Sequence, residues 1–475
     1  MSQADESILK INIENYILEK YTPFKLRQPN FELIYYDEKE KVVEPISEHP
    51  LHGQQKCKQL TFPFARSGLF TADIRNIKTL VKKCEDQTVK EVFELTLNHN
   101  NKVDYQAGDT IAIVPKNSKL DVMQAIILMG LDENANKYCK FRPLSTTQNS
   151  KAKLPLHIPE DKTTPHEILT DCLNLRAVPT KQFLSVLASC CSFAEEANFL
   201  NCLSSKEGNH FYNELILEKG LNFLDILLLC TSCKPTLLML IENLPRLFPR
   251  AYSISNSPNG HDNEIKIVFS VLQHTPGVAT SMLKRLGAET REFPNEPKSV
   301  LMYFRNTNRF RYTPEVAHTS QQILIGIGTG LAPFIGFLEY KKQLYLENEN
   351  EKKLGKTWLF VGAKRMESVI YRKKLKEYAT ENILDRYFES LSREKDAQYH
   401  YVQDQIKANV DEFVKFLLHR DTILYICADG AHISKSIKGA ITECLTEKLG
   451  ISKDEGTELI KDYEKHGKYV EDIWT

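Results

Sequence analysis

The chain has 475 residues, of which 42% are hydrophobic and 26% charged. That is ordinary globular composition with material for two or three cored domains, and it excludes wholesale disorder. Lys+Arg and Asp+Glu both number 62, so the formal net charge is zero and no global field draws nucleic acid or an anionic membrane.

Residues 1–63 read as a poorly structured arm, with charged runs such as 36–41 near Pro45 and Pro50 and little periodicity. The first residues are polar and acidic, without the basic-then-apolar order of a secretory signal. The 11 cysteines are odd in number and irregularly spaced. They suit reduced thiols in the cytoplasm better than a disulfide framework. Residues 88–97 alternate as a strand, and 110–114 make a second, between the Gly108-Asp109 turn and Pro115. From 119 to 247 the apolar spacing is helical. Within that block, 221–244 is the most apolar stretch, but Asp225, Lys234 and Pro235 interrupt it. It reads as two buried helices with a turn between them, too broken for a membrane anchor. Cys230 and Cys233, a lone CxxC, and the adjacent Cys190 and Cys191 read as packing; no metal site is expected.

Strands return at 251–255, 264–272 and 299–304, and a polar, turn-rich stretch at 306–320 marks a boundary. Beyond it, apolar runs at 322–327, 357–361, 386–391 and 422–427 alternate with helical patterns at 333–346, 368–378, 402–418 and 431–449. That alternation means a parallel α/β sheet.

Four glycines crowd the segment QILIGIGTGLAPFIGF after strand 322–327. A strand, a glycine turn with Gly328, Thr329 and Gly330, then a helix with Pro333 in its first turn make a place for a pyrophosphate. Glycine lets the backbone approach, and the helix start offers partial positive charge. A tight turn without a ligand is the plainer alternative. Arg250, Ala251, Tyr252 and Ser253 open another strand: Arg250 suits a diphosphate, Tyr252 an aromatic ring, and Ser253 a ring nitrogen. Gly277, Val278, Ala279 and Thr280 form a second turn leading into a helical pattern, also suited to phosphate.

Taken in order, these motifs resemble the reductase half of the diflavin reductase family, built on a ferredoxin–NADP reductase module. YQAGD (105–109), RAYS (250–253), GVAT (277–280), GIGTGLAPFIGF (326–337), SR (392–393) with YVQ (401–403), and the terminal Asp472-Ile473-Trp474-Thr475 all match. The likeness covers roughly 64–475. In the helical block, LPLHIP (154–159), CLNLRAVPTKQFL (172–184) and SCKP (232–235) resemble the methionine synthase reductase branch.

The resemblance implies an antiparallel FAD-binding β-barrel with a helical insert at about 119–247, over 64–305, followed by a parallel α/β NADP-binding domain over 306–475. It implies FAD and NADPH as cofactors. Arg250 would neutralise the FAD diphosphate, Tyr252 pack one flavin face, and Ser253 sit near the hydride-accepting nitrogen. Trp474 would cover the other face, unless its indole merely plugs the chain end. Lys90 would assist FAD binding, unless it is a solvated strand lysine. Cys427 and Asp472 would orient the nicotinamide, with a buried core thiol the alternative for Cys427. Asp429 would follow in the same loop, where Ala428 replaces the family's glycine. Ser392, Arg393, Tyr401, Val402 and Gln403 would hold the 2′-phosphate and adenosine, with His400 in place of a family lysine. Ala363 stands where the family commonly has cysteine. The arm is too short for a flavodoxin-like domain, so FMN is not expected in this chain. The acceptor would be a separate FMN protein or methionine synthase itself, whose cobalamin would be reductively reactivated in methionine biosynthesis. A generic NADPH diaphorase and a non-catalytic docking module are the rival readings.

Overall fold

The computed structural model describes residues 10–24, 30–36, 52–82, 90–100, 104–144, 153–258, 263–272, 277–296, 298–306, 309–347 and 354–474. In chain order the strands are β1 (Phe31–Tyr36), β2 (Phe70–Val81), β3 (Glu91–His99), β4 (Thr110–Val114), β5 (Tyr138–Pro143), β6 (Arg250–Ser253), β7 (Glu264–Val271), β8 (Ser299–Phe304), β9 (Gln321–Ile327), β10 (Thr357–Ala363), β11 (Arg386–Leu391), β12 (Thr422–Asp429) and β13 (Tyr469–Trp474). They fall into two compact units, each built from separate stretches of chain.

One unit takes the described parts of Met1–Phe62, Pro115–Pro249 and His274–Met282. Helices Lys119–Met129, Lys181–Ala188, Ala194–Ser204, Phe223–Leu229 and Leu237–Asn243 bury Leu184, Phe199, Phe223 and Leu240 in a common core. The break between the last two helices falls at the expected turn, where Thr236 caps the second by accepting from the Met239 N–H at 3.4 Å. The arm departs from the reading above. β1 pairs antiparallel with β5, Phe31 opposite Pro143 through Tyr36 opposite Tyr138. Gln54 is buried and its side-chain N–H groups donate to the carbonyls of Asp171 and Leu247 at 2.7 and 3.0 Å. A strand partner more than a hundred residues away supplies order that local periodicity does not announce. The charged run 37–41, Pro45 and Pro50 lie outside the described residues.

The other unit takes Pro63–Val114, Arg250–Gln273 and Leu283–Thr475. Its antiparallel sheet has the order β6-β4-β8-β2-β3-β7. An antiparallel bridge between Ile254 and Ile267, with the Ser255 N–H donating to the Lys266 carbonyl at 2.8 Å, joins the two end strands. That closes the sheet into a barrel and removes its free edges.

The second sheet is wholly parallel, in the order β11-β10-β9-β12-β13. Successive residues face opposite sides: Leu324, Leu359, Val361 and Tyr425 join one core, and Ile323, Ile325, Phe360, Leu424 and Ile426 the other. Both faces of the three inner strands are buried, which is why β9, β10 and β12 read as apolar runs, while the edge strands β11 and β13 carry charged residues. Helix Ala332–Glu347 covers the first face through Phe334, Phe337 and Leu338, and helices Val410–Leu417 and Ala431–Leu449 cover the second. The single helix expected over 402–418 is two, Val402–Ala408 and Val410–Leu417, broken at Asn409. No helix among the described residues is long and apolar enough to cross a membrane.

Candidate functional site

Because the five strands of the second sheet run parallel, their carboxyl ends lie along one edge, where ligands of open α/β sheets collect. The glycine loop leaves β9 at that edge. Gly328 has φ +59°, and a Cβ built on it would meet nothing within 4 Å, so its backbone presents an open face. Gly330 is the opposite case. A Cβ there would lie 2.1 Å from the carbonyl oxygen of Cys427 and 2.6 Å from its carbon. Glycine is what allows the loop to rest directly on the end of β12. Helix Ala332–Glu347 then starts beside the open face of the loop.

Cys427 sits in register between Gly326 on β9 and Asp472 on β13. It is fully buried, and burial, followed by the neighbouring Asp472 charge, pushes its thiol well above the ordinary value. It is therefore a neutral S–H at physiological pH. Asp472 Oδ2 accepts a 2.8 Å hydrogen bond from Ser253 Oγ. Burial raises the Asp472 carboxyl, while the Ser253 hydrogen bond and the Arg305 charge pull it back down. Ser253 ends β6 opposite Thr110, whose carbonyl accepts the Arg305 N–H at 2.9 Å. The Arg305 guanidinium lies 5.1 Å from the Phe64 ring. A hydroxyl, a carboxyl and a thiol from three strands thus meet in one place. The sequence motifs contain all three, but Arg305 carried no signal, lying at the edge of a polar turn.

On β6, Tyr252 is half-buried with its ring edge-on to Phe269 at 6.4 Å, and burial raises its phenol. Arg250 and Ala251 are exposed on the same strand. In the other unit, Gly277 precedes helix Val278–Glu292, Ala279 is buried, and Thr280 Oγ1 donates back to the Gly277 carbonyl at 3.2 Å. The side chains of Asp429 and Trp474 lie outside the described residues, and with them the expected slot between Tyr252 and the indole. Their backbones are paired at the end of the β12–β13 ladder.

The turn after β11 is fastened to the turn after β10: the Ser392 N–H donates to the Ala363 carbonyl at 2.9 Å, and the Arg393 N–H to the Lys364 carbonyl at 2.8 Å. Burial, then the charges of Arg393 and Lys90, hold the Lys364 ammonium below its ordinary value. Lys90, immediately before β3, therefore stands in the field of this basic group. Tyr401 is exposed and its N–H donates to Asp404 Oδ2 at 3.1 Å. Val402 is buried, and Gln403 Nε2 donates to Ser436 Oγ at 2.9 Å. His400 Nδ1 lies 3.2 Å from the Leu391 carbonyl. An open glycine loop, a helix start and a basic turn along one sheet edge fit a phosphorylated dinucleotide.

Family models agree with this division of labour. Residues 62–281 match an FAD binding domain, and 324–432 match an oxidoreductase NAD-binding domain. The chain is 29% identical to methionine synthase reductase of Mus musculus over 426 residues, covering 84% of this chain and 60% of that protein. The Homo sapiens protein of the same name gives 29% over 427 residues, with 84% and 60% covered. The NADPH–cytochrome P450 reductase of Musca domestica is 30% identical over 385 residues, 79% of this chain and 54% of that one. The chain thus spans about 60% of the length of the methionine synthase reductases it matches. With the barrel, the parallel sheet and both domain matches in place, this chain carries the ferredoxin–NADP reductase-like, FAD- and NADP-binding module of the diflavin reductase family.

Proposed function

We propose that this chain is an NADPH-dependent flavoprotein oxidoreductase that delivers electrons to a separate acceptor. The observation that carries the reading is the meeting of Ser253, Asp472 and Cys427 beside the glycine loop. FAD, when bound, supplies the hydride-accepting ring nitrogen and the capacity to release electrons singly. The protein supplies position and charge. Asp472 would hold a carboxylate beside a bound nicotinamide and favour positive charge there, and the Ser253 hydroxyl holds that carboxylate in place. The neutral Cys427 thiol backs the ring without adding a competing charge. Tyr252 offers an aromatic face to the flavin, with Trp474 as the movable cover opposite. Arg250 offers charge to the FAD diphosphate, and the Gly277–Thr280 turn offers backbone amides to phosphate. Ser392, Arg393 and Lys364 select the 2′-phosphate of NADPH, and Lys90 adds to the same field.

The acceptor we favour is a cobalamin-dependent methionine synthase, reached directly or through an FMN protein. The names of the relatives and the LPLHIP, CLNLRAVPTKQFL and SCKP stretches support that choice, and the odd number and irregular spacing of the cysteines suit a cytoplasmic setting. The test is anaerobic stopped-flow reduction of the FAD-loaded protein with NADPH and with NADH, followed by mixing with methionine synthase or an FMN protein. Rapid bleaching by NADPH and slow bleaching by NADH are expected. A protein that binds no flavin and reduces no ferricyanide overturns the enzymatic reading in favour of a docking module.

A further inference from the structure

Four cysteines of the helical unit lie in two short segments. Cys190 and Cys191 follow helix Lys181–Ala188, while Cys230 and Cys233 occupy the turn between helices Phe223–Leu229 and Leu237–Asn243. Their spacing reads as packing. The fold pairs two of them: Cys191 and Cys233 face each other across an isolated antiparallel bridge. Beside the pair, the Lys234 N–H donates to the Cys190 carbonyl at 3.0 Å. That flanking bond marks a non-hydrogen-bonded pair, the class in which opposed Cα atoms stand only about 4.5 Å apart. Disulfides span Cα separations of about 4.4–6.8 Å.

The side chains agree with the backbone. Both sulfurs converge on one acceptor, the Leu187 carbonyl oxygen, at 3.4 Å from Cys191 and 3.3 Å from Cys233. The neighbours are engaged elsewhere: Cys190 Sγ lies 3.3 Å from the Val186 carbonyl and 3.4 Å from Met239 Sδ. Glu196 fixes the frame by accepting the Ser232 N–H and hydroxyl at 3.0 and 2.6 Å, and Ser232 Oγ accepts the N–H groups of Ser192 and Phe193 at 3.1 and 3.0 Å. Among the described residues no group of three or more Cys, His, Asp or Glu is placed to hold a metal ion, so the arrangement favours a thiol pair over a metal site.

We propose that Cys191 and Cys233 form a redox-active dithiol, a modification site that closes to a disulfide on exposure to a peroxide. Cys191 is the attacking sulfur. It is half-buried while Cys233 is 1% exposed, and the adjoining Cys233 side chain holds its thiol below the ordinary value. Its thiolate attacks one peroxide oxygen, the O–O bond breaks, and hydroxide leaves with the proton Cys191 gave up, as water. The resulting sulfenic acid is attacked by Cys233 sulfur; the S–O bond breaks, a second water leaves with the Cys233 proton, and the S–S bond forms. The two thiols lose two electrons in total and the peroxide gains them. The product staples the segment after Ala188 to the turn at 230–235, within one unit and independently of the proposed reductase activity.

The experiment treats the purified full chain with stoichiometric hydrogen peroxide, alkylates the remaining thiols, and maps the peptides by mass spectrometry. A cross-linked peptide joining Cys191 to Cys233 is expected, with two fewer alkylated thiols and full recovery after dithiothreitol. C191S and C233S abolish the cross-link, whereas C190S and C230S keep it. A Cys230–Cys233 cross-link, oxidation of Cys191 without cross-linking, or an unchanged thiol count overturns the proposal. The wild-type map decides by itself should a variant fail to fold.

Discussion

Gly330→Ala tests the packing that joins the dinucleotide loop to the reacting groups. The added methyl would lie 2.1 Å from the Cys427 oxygen, 2.6 Å from its carbon and 3.1 Å from the Ala428 nitrogen. Comfortable carbon contacts begin near ~3.5 Å, so loop and strand must separate by roughly 1 Å. Both sides of the clash are main chain, and no side chain can rotate away. Overpacking of this kind costs about 1–3 kcal/mol of stability. The displacement carries Cys427, and through the β12–β13 register it disturbs Asp472. A misplacement of ~1 Å at a reacting centre costs about 10²-fold in rate. Stopped-flow flavin bleaching at saturating NADPH should therefore slow by about that factor in G330A, with a lowered melting temperature. Gly328→Ala is the control, because its Cβ would meet nothing within 4 Å. It carries only the left-handed backbone cost of about 1–2 kcal/mol, and it obstructs the open face, raising the NADPH KM more than it lowers the rate. A G330A protein that bleaches at the wild-type rate would refute the claim that this contact sets the site.

Asp472 and Ser253 predict a pH profile. The Asp472 carboxyl is raised by burial, so its negative charge is lost as pH falls through a value above the usual carboxylate range. Hydride transfer should show an acid limb there, and D472N should be slow and lack it. The raised pKa also means that folding takes up a proton, so its contribution to stability is greatest below the unfolded pKa and declines as pH rises through the folded one; pH-dependent melting of D472N should lose that slope. Ser253→Ala removes a bond that lowers the Asp472 pKa, so the limb should move to higher pH and the rate fall about tenfold, matching ~1.5 kcal/mol for a hydrogen bond to a charged group; a limb that stays in place or moves down contradicts the pairing. Arg393→Ala should raise the NADPH KM by roughly 10- to 100-fold, from ~1.5–3 kcal/mol of charge-assisted bonding, while leaving NADH unaffected; equal losses for both cofactors would remove Arg393 from 2′-phosphate recognition. Phe360 is fully buried, stacked on Phe388 at 4.4 Å and edge-on to Phe413 at 5.8 Å, so Phe360→Ala should cost about 3–5 kcal/mol in chemical denaturation, and a loss under ~1 kcal/mol would mean that the sheet core repacks freely.

The amino-acid order by itself determined the features that physics ties to neighbours in the chain. A glycine loop between a buried strand and a helix is visible in QILIGIGTGLAPFIGF because a turn that rests on the backbone of a neighbouring strand demands glycine, as Gly330 does against Cys427. The parallel sheet was visible through its inner strands, because a strand covered on both faces must be largely apolar. Tertiary structure decided what depends on pairing between distant segments. Nothing local announced that Tyr469–Trp474 would be a strand, yet its register beside β12 brings Asp472 to Cys427, and the Ser253 hydroxyl at the end of β6 donates to the same Asp472. β1 found order only opposite Tyr138–Pro143, and Arg305 became an electrostatic neighbour of Asp472 only in the folded unit. The cysteines show the same division. In the sequence these four cysteines read as packing residues, whereas the antiparallel bridge sets Cys191 against Cys233. Local sequence sets period and turn chemistry; which strands become neighbours, and in what register, is settled by burying the greatest apolar area together while leaving few polar groups unpaired.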